Sequence, residues 1–408
     1  MIATVEANEN IIPLWQVVSL TDYALPAAPT REAAAKGFTA LWRLLRAKDQ
    51  QSPEKTEEQL FRFSETQLSR LVPAIDWHLG AEALEVKLKD WPAPKEQNSP
   101  IRFLIGPPYS GHTDILKLWA NMRQLTVIEA PTPEQILAQN ENWFLSWPDD
   151  KQTWLLPNLE RCYLRHADGL TVVRRLFEQA SSGKLGFGVI GCDSWAWSFL
   201  QEVCPFRQPN ALTLQAFDSE RLKAYFQVLA VSSVFGPLRF RASDSGEDIL
   251  PPTGDSDEQD PVTISPFLKR LAAHSRGILG VAWAYWRNSL FAEPDETQES
   301  DSHAGTTKDL LPQNIIWLRS GLQEPAIPVG TNPDDAFVLH CLLLHKCLPV
   351  DLLVDLLPLP RSAVTATLHL LTSAGLVEEH NKAWRVSARG YPVVRQFLKN
   401  NGYMVDLF

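Results

Sequence analysis

The chain has few of the features that mark secreted or membrane-spanning proteins. Its five cysteines, at positions 162, 192, 204, 341 and 347, form no CxxC pair and no Cys/His zinc spacing, so free thiols in a reducing compartment are expected. No apolar run reaches the roughly 18 residues that a membrane helix needs. The segment from Met1 to Glu6 lacks the basic and apolar regions of a signal peptide. We therefore expect a cytoplasmic protein with no membrane segment.

An excess of positive charge is also missing. The net charge is −10, so no global basic field attracts nucleic acid or anionic membranes. The hydrophobic content of 45 % and charged content of 21 % are those of an ordinary globular protein. With 408 residues, the chain is long enough for two or three domains.

The middle of the chain alternates short apolar runs with helical stretches. Apolar strands that continue without polar alternation, joined by helices, are typical of a parallel sheet covered on both faces. The pattern therefore predicts an α/β fold with three layers. The five runs lie at residues 101–105, 125–130, 153–156, 186–190 and 211–214.

Composition divides the rest of the chain. Helical spacing predicts helices at 31–46 and 57–71. Residues 243–260 carry seven acidic side chains and no Lys or Arg, which predicts a solvated linker. The predicted segments are an N-terminal helical region (1–95), an α/β core (96–242), an acidic disordered linker (243–263), a helical lid with a mobile loop (264–332) and a C-terminal module (333–408).

The C-terminal module shows three helical stretches followed by two short strands around a turn. Its order resembles the winged helix-turn-helix family over about 75 residues. Seven Lys and Arg balance seven Asp and Glu in residues 334–408, so the module is poor in charge for DNA binding. Candidate contacts to a DNA phosphate or to a protein partner are Arg361, Lys382 and Arg385. The outward positions predicted for the third helix are Arg361, Thr365, Thr367, His369 and Thr372.

One segment has the spacing of a phosphate-binding loop but lacks its lysine. The pattern G-x-x-x-x-G-K-[ST] places backbone N–H groups around a phosphate at a helix N-terminus. This chain has both glycines and the hydroxyl residue, with a strand predicted before and a helix after, but His112 replaces the lysine. The nucleotide-binding candidates in the loop are Gly106, Pro107, Pro108, Tyr109, Ser110, Gly111, His112 and Thr113.

Two further strand ends carry polar candidates. Asn158 follows the apolar run at 153–156 where an Asp would bind Mg²⁺, and Glu160 is the candidate to polarise an attacking water. The next strand ends at Asp193, a candidate γ-phosphate sensor, and Ser194 is the expected N-cap of the following helix. Both departures, His112 for Lys and Asn158 for Asp, weaken the same site.

Together these parts resemble the AAA+ and STAND-type P-loop NTPases, with a layout most similar to the origin-recognition ATPases. The resemblance spans roughly residues 100–290, and the winged helix covers 334–408. It implies a three-layer P-loop NTPase core with a helical lid, ATP or ADP with Mg²⁺ as ligand, and Arg276 as the nucleotide-sensing arginine of the lid. The two departures imply weak ATPase activity at most.

The sequence leaves several functions open. The first is an ATP-binding regulatory or scaffold protein that signals through the winged helix to a protein partner. Alternatives are a nucleotide-free pseudo-NTPase adaptor, a DNA-binding regulator and an active ATPase with an altered clamp. The oligomeric state is not determined by the sequence.

Overall fold

The computed structural model describes nine stretches of the chain. They are residues 13–26, 60–92, 100–148, 152–204, 211–233, 237–250, 264–293, 314–319 and 321–408. The strands are β1 Val17–Ser19, β2 Phe61–Arg62, β3 Ile101–Gly106, β4 Thr126–Val127, β5 Trp154–Leu156, β6 Gly188–Asp193, β7 Ala211–Leu214, β8 Arg239–Ala242, β9 Leu290–Ala292, β10 Ile315–Leu318, β11 Val377–His380 and β12 Ala383–Val386.

The α-helices alternate with these strands in the first two thirds of the chain. They are α1 Glu65–Leu71, α2 His78–Lys87, α3 His112–Arg123, α4 Pro133–Leu137, α5 Thr171–Ser181, α6 Ser194–Val203, α7 Ser219–Val231, α8 Pro266–His274, α9 Leu279–Asn288, α10 Pro333–His345, α11 Val350–Leu356, α12 Arg361–Ser373 and α13 Tyr391–Asn400. None of them, within the described stretches, is long and apolar enough to cross a membrane.

A six-stranded sheet forms the core, in the order β1-β7-β3-β6-β5-β4. Strands β3 to β7 run parallel, as predicted, while β1 is antiparallel to β7. Since β3 and β6 are neighbours whose following connections lead to opposite sides of the sheet, a crevice opens at their carboxyl ends. In the register of that pair, Gly106 lies beside Asp193, so the loop and the candidate sensor meet there.

Helices cover both faces of this sheet. Successive strand residues point to opposite faces. Leu104 belongs to the same buried apolar cluster as Leu116 of α3, whereas Ile105 belongs to a second cluster with Leu176 of α5 and Leu200 of α6. The three-layer arrangement predicted from continuous apolar strands is therefore present in the structure.

The structure contains a second sheet that the sequence did not predict. Strands β2, β8, β9 and β10 form it in the order β2-β9-β10-β8, and Trp286 of α9 packs against Phe226 and Phe240 beside it. The predicted lid region, 264–332, therefore contains two strands as well as helices. The predicted helical region, 1–95, contributes β1 and β2, and its expected helix at 31–46 lies outside the described residues.

The acidic segment is packed over its first part. Ile249 and Leu250 are buried, and Asp248 forms an ion pair with Arg239, with N and O 2.6 Å apart. Residues 243–250 therefore belong to the folded protein, which corrects the expected linker. The remainder, 251–263, lies outside the described residues.

The C-terminal module consists of α10, α11, α12, the antiparallel hairpin β11–β12 and α13. Pro333 follows the N-cap Asn332, and a capping box with Asp335 starts α10. Thr367 was expected to point outward, but it is buried and donates a hydrogen bond to Asp335 Oδ1 at 2.7 Å. The turn of α12 that contains Thr367 therefore packs inside the module.

Candidate functional site

The loop turns sharply between β3 and α3. Gly111 is the N-cap residue of α3 with φ +78°, and a Cβ there would collide with the Trp77 ring, so glycine is required. Tyr109 also has a positive φ, +68°. Its carbonyl accepts a hydrogen bond from the Gly280 N–H at 3.1 Å, and its hydroxyl donates to the Val386 carbonyl. The loop is therefore held from the lid and from the C-terminal module.

The side chain of His112 fills the inside of the loop. Its Nδ1 lies 3.0 Å from Ser110 Oγ, and a Cβ on Gly106 would collide with both side chains. Burial, and then the nearby Lys346 charge, hold the pKa of the imidazole well below its ordinary value, so the ring is neutral. Its Nε2 has no hydrogen-bond partner among the described residues. The loop thus lacks the positive charge that its missing lysine would supply.

The three other core candidates lie together at the carboxyl ends of β5 and β6. Thr113 Oγ1 donates to Asn158 Oδ1 at 3.2 Å. Glu160 is fully buried, and its Oε2 accepts the Asp193 N–H at 3.1 Å. Thr113, Asn158, Glu160 and Asp193 therefore form one contiguous cluster, as parallel strand ends predict.

Asp193 caps α6, a role that the sequence assigned to Ser194. Its Oδ1 accepts the Trp195 N–H at 3.2 Å. Burial and the neighbouring Glu160 raise the pKa of Asp193 well above its ordinary value, and Oδ2 lacks a partner within the described part of the chain. Ser194 instead donates to Asp406 at the chain's C-terminal end.

Lys346 is a site residue that the sequence predictions missed. It follows α10 in the C-terminal module, and its Nζ lies 2.8 Å from Thr113 Oγ1 and 3.5 Å from Glu160 Oε1. At φ +66° and ψ −46°, with a Cys347 N–H to His345 carbonyl hydrogen bond of 2.7 Å, it forms a strained γ-turn. The C-terminal module thereby places an ammonium group in the core site.

Residues beside Lys346 fasten the end of α10 to the core. Tyr163 donates a hydrogen bond to the Leu344 carbonyl at 2.9 Å, and His345 Nε2 accepts the Arg165 N–H at 3.4 Å. Burial lowers the pKa of His345 to about 4. Since Tyr163 and Arg165 follow Glu160 closely, the module contacts the segment that carries the candidate catalytic residue.

A cavity of about 760 Å³ opens beside the loop. Its walls come from the segment before α2, the loop, α9 and the C-terminal module, and they include two indoles and three cations. Those side chains are Trp77, Trp283, Lys346, Arg385 and Arg389.

The remaining predicted site residues are Arg276, Arg361, Lys382 and Arg385. Arg276 donates from Nε to the Phe408 carbonyl at 2.8 Å and not to the loop, and its backbone has a φ of +55°. Arg361 pairs with Asp351. Arg385 pairs with Glu378 at 2.7 Å and lies over the Tyr109 ring, so it faces the cavity, while Lys382 is exposed at the hairpin turn.

The buried His340 of α10 is expected to make the stability of the protein sensitive to acid. Burial lowers its pKa to about 4, below the ordinary value of a histidine in an unfolded chain, so stability is fully present above pH about 6.5 and is lost as pH falls toward 4. Neither ring nitrogen has a hydrogen-bond partner among the residues described, which makes phenylalanine a suitable replacement.

We expect wild type to lose about 1.5 kcal/mol more than His340→Phe between pH 6.5 and pH 5, measured by urea unfolding at each pH. The exposed His380 provides the control, His380→Phe, which should keep the wild-type pH dependence. Parallel pH profiles for wild type and His340→Phe would contradict the assignment.

Comparison with known proteins yields distant structural similarity. No protein family model matches the chain, and no curated protein matches it at a significant level. A RuvB mutant from Thermotoga maritima is 12 % identical, with 87 % of this chain and 99 % of that chain covered and a TM-score of 0.30. A Walker-type ATPase of Pyrococcus abyssi is 12 % identical, with coverage of 86 % and 99 % and a TM-score of 0.34. Cdc6p from Pyrobaculum aerophilum is 10 % identical, with coverage of 84 % and 100 % and a TM-score of 0.29.

Similarity at this level assigns neither a family nor a function. The chemistry of the site therefore follows from its own residues. Mg²⁺ takes oxygen ligands in near-octahedral geometry, whereas the Thr113 hydroxyl lies 2.8 Å from an ammonium group. With the Lys346 ammonium in this place, the observed arrangement does not fit Mg²⁺ at the Thr113 hydroxyl. Among the described residues no cluster of three or more His, Cys, Asp or Glu could hold a metal ion.

Proposed function

We propose that the protein is a regulatory scaffold with a core of the P-loop NTPase type, related in layout to AAA+ and STAND proteins, that does not hydrolyse ATP. The observation that carries this proposal is the Lys346 ammonium at the Thr113 hydroxyl. The C-terminal module is then the part that passes the state of the core to a protein partner. Its winged-helix order and balanced charge support contact with protein over DNA.

The groups that would carry hydrolysis are engaged in structural contacts. Phosphoryl transfer needs a cation clamp on the phosphates and a residue that orients the attacking water. Here Glu160 accepts the Asp193 N–H and pairs with Lys346, and Asn158 accepts from Thr113. Thr113 and Glu160 thus contact the C-terminal module through Lys346.

ATP turnover tests this proposal directly. We expect wild type and Glu160→Gln to show the same background phosphate release in saturating Mg²⁺ and ATP, because Glu160 polarises no water. Turnover that is present in wild type and lost in Glu160→Gln would contradict it. Asp355→Asn, on an exposed position of α11, controls for the effect of a substitution as such.

Nucleotide sensing without hydrolysis is the second candidate, and the cavity favours it. Two indoles and three cations around about 760 Å³ suit a planar base with phosphates. Under this alternative, ATP or ADP raises the thermal midpoint of unfolding, and Trp283→Ala removes the shift. An unchanged midpoint at millimolar nucleotide would exclude it and leave the nucleotide-free adaptor.

DNA binding through the module is less well supported. Two of the three candidate cations are paired with carboxylates, and Arg385 faces the cavity. We expect no salt-dependent binding of a DNA duplex at low ionic strength, measured by fluorescence anisotropy. Binding that is lost in Lys382→Glu would restore the DNA-binding alternative.

A further inference from the structure

The Lys346 ammonium contacts the loop hydroxyl that holds a metal ion in phosphate-binding loops. In such proteins the hydroxyl of the loop Ser or Thr and an Asp after a neighbouring strand hold Mg²⁺, and in this chain Asn158 stands in the place of that Asp. In this chain the hydroxyl of Thr113 and the carboxylate of Glu160 both contact the Lys346 ammonium, at 2.8 Å and 3.5 Å. We propose that Lys346 is a built-in cation in the metal position, so that a divalent cation and the packed C-terminal module exclude each other.

Charge balance in the cluster supports a single positive charge at this point. Glu160 is fully buried, and a buried carboxylate requires a cationic partner or protonation. Asn158 is neutral where an Asp would add a second negative charge. One ammonium therefore balances one carboxylate, while a divalent cation in place of Lys346 would leave an excess of positive charge.

The backbone is built to place this side chain. A positive φ at a residue other than glycine is retained where surrounding contacts impose it. Around Lys346 those contacts are the Leu344 carbonyl bound by Tyr163 and the His345 ring bound by the Arg165 N–H. The strain and the two contacts act on three consecutive residues, so the ammonium is positioned by the end of α10.

Exclusion of a divalent cation from the core depends on the position of the C-terminal module. For a metal ion to reach the Thr113 hydroxyl, the Lys346 ammonium must leave, and with it the contact of the C-terminal module with Thr113 and Glu160. The inference rests on the proposed function and deepens it by naming the side chain of the C-terminal module that keeps a divalent cation out of the core. The inference does not depend on nucleotide, so the experiment that tests it contains no nucleotide.

The test is the thermal midpoint in Mg²⁺ or Mn²⁺ alone, against a chelator at matched ionic strength. We expect no shift for wild type. In Lys346→Ala, which exposes the Thr113 and Glu160 oxygens, we expect the midpoint to rise by about 3 °C in metal. Lys399→Ala, on an exposed position of α13, should respond as wild type does.

Hydrogen exchange of residues 158–165 in wild type provides the second measurement. Metal stabilisation of wild type with unchanged protection of this segment overturns the proposal, as does an equal response of wild type and Lys346→Ala. Should Lys346→Ala show no cooperative transition, Lys346→Gly replaces it, because glycine accepts the positive φ; absence of a metal response there overturns the proposal too. Failure of ATP binding or turnover, measured separately, leaves this outcome unaffected.

Discussion

Replacing Asp406 by alanine is expected to lower the free energy of unfolding by about 4 kcal/mol. Asp406 Oδ1 accepts from Arg395 Nε at 2.9 Å, and Oδ2 accepts from the Tyr391 hydroxyl at 3.1 Å and from Ser194 Oγ at 2.5 Å. The Asp406 and Arg395 side chains are almost completely buried. Alanine therefore leaves Arg395 Nε and two hydroxyl groups without their acceptor, whereas Arg395 Nη2 keeps its bond to the carbonyl of residue 406.

Urea unfolding of wild type, Asp406→Ala and Asp406→Asn separates charge from hydrogen bonding. The asparagine variant keeps one acceptor oxygen and should lose less stability than the alanine variant. Asp355→Ala, on the exposed side of α11, should stay within about 0.5 kcal/mol of wild type. Equal stability of wild type and Asp406→Ala would mean that this cluster does not hold the chain end on α6.

Replacing Lys346 by methionine is expected to cost about 3 kcal/mol, because the fully buried Glu160 carboxylate loses its cation. This value is at the lower end of the free-energy cost of breaking a buried ion pair, since one third of the Lys346 side chain is exposed. Glu160→Gln in the same chain removes the unpaired charge, so the double variant should be more stable than Lys346→Met alone.

A double-mutant cycle measures this coupling between Lys346 and Glu160. We expect an interaction free energy of about 2 kcal/mol between the two positions. Additive effects of Lys346→Met and Glu160→Gln on the free energy of unfolding would show that the two side chains do not interact in solution.

The sequence predicted the core sheet well because its information is local. Continuous apolar strands, each followed by a helix, indicate a parallel sheet whatever the rest of the chain does. The loop between Gly106 and Thr113 and the polar ends at Asn158, Glu160 and Asp193 follow from that topology. Parallel strands bring their carboxyl ends to one edge, so these residues had to meet.

The second sheet could not be predicted in the same way. Its strands are two to four residues long, and β2 pairs with β9 across more than half of the chain. Such short segments carry no periodicity, and their pairing depends on packing against α9. Ile249 and Leu250 are buried beside the same sheet. Composition alone does not reveal this packing, so residues 243–250 were predicted to be part of a linker.

Lys346 was missed because a lysine at the end of a helix has an ordinary explanation. Cations are favoured there by the helix dipole, and nothing local distinguishes this lysine from others. Two signals were nevertheless present: the loop lacks its lysine, and a lysine stands between two predicted helices of the neighbouring module. The contact of Arg276 could not be predicted either, since a local match to a lid motif does not reveal that its guanidinium lies at the Phe408 carbonyl.

The most direct test of the account is the anomalous signal of Mn²⁺ in wild-type crystals grown with that ion. Mn²⁺ accepts the oxygen ligands that suit Mg²⁺, so it reports the same site. We predict no anomalous peak near the Thr113 hydroxyl and clear density for the Lys346 ammonium between Thr113 and Glu160. A peak bound to Thr113 Oγ1 with the C-terminal module still in place would contradict the account.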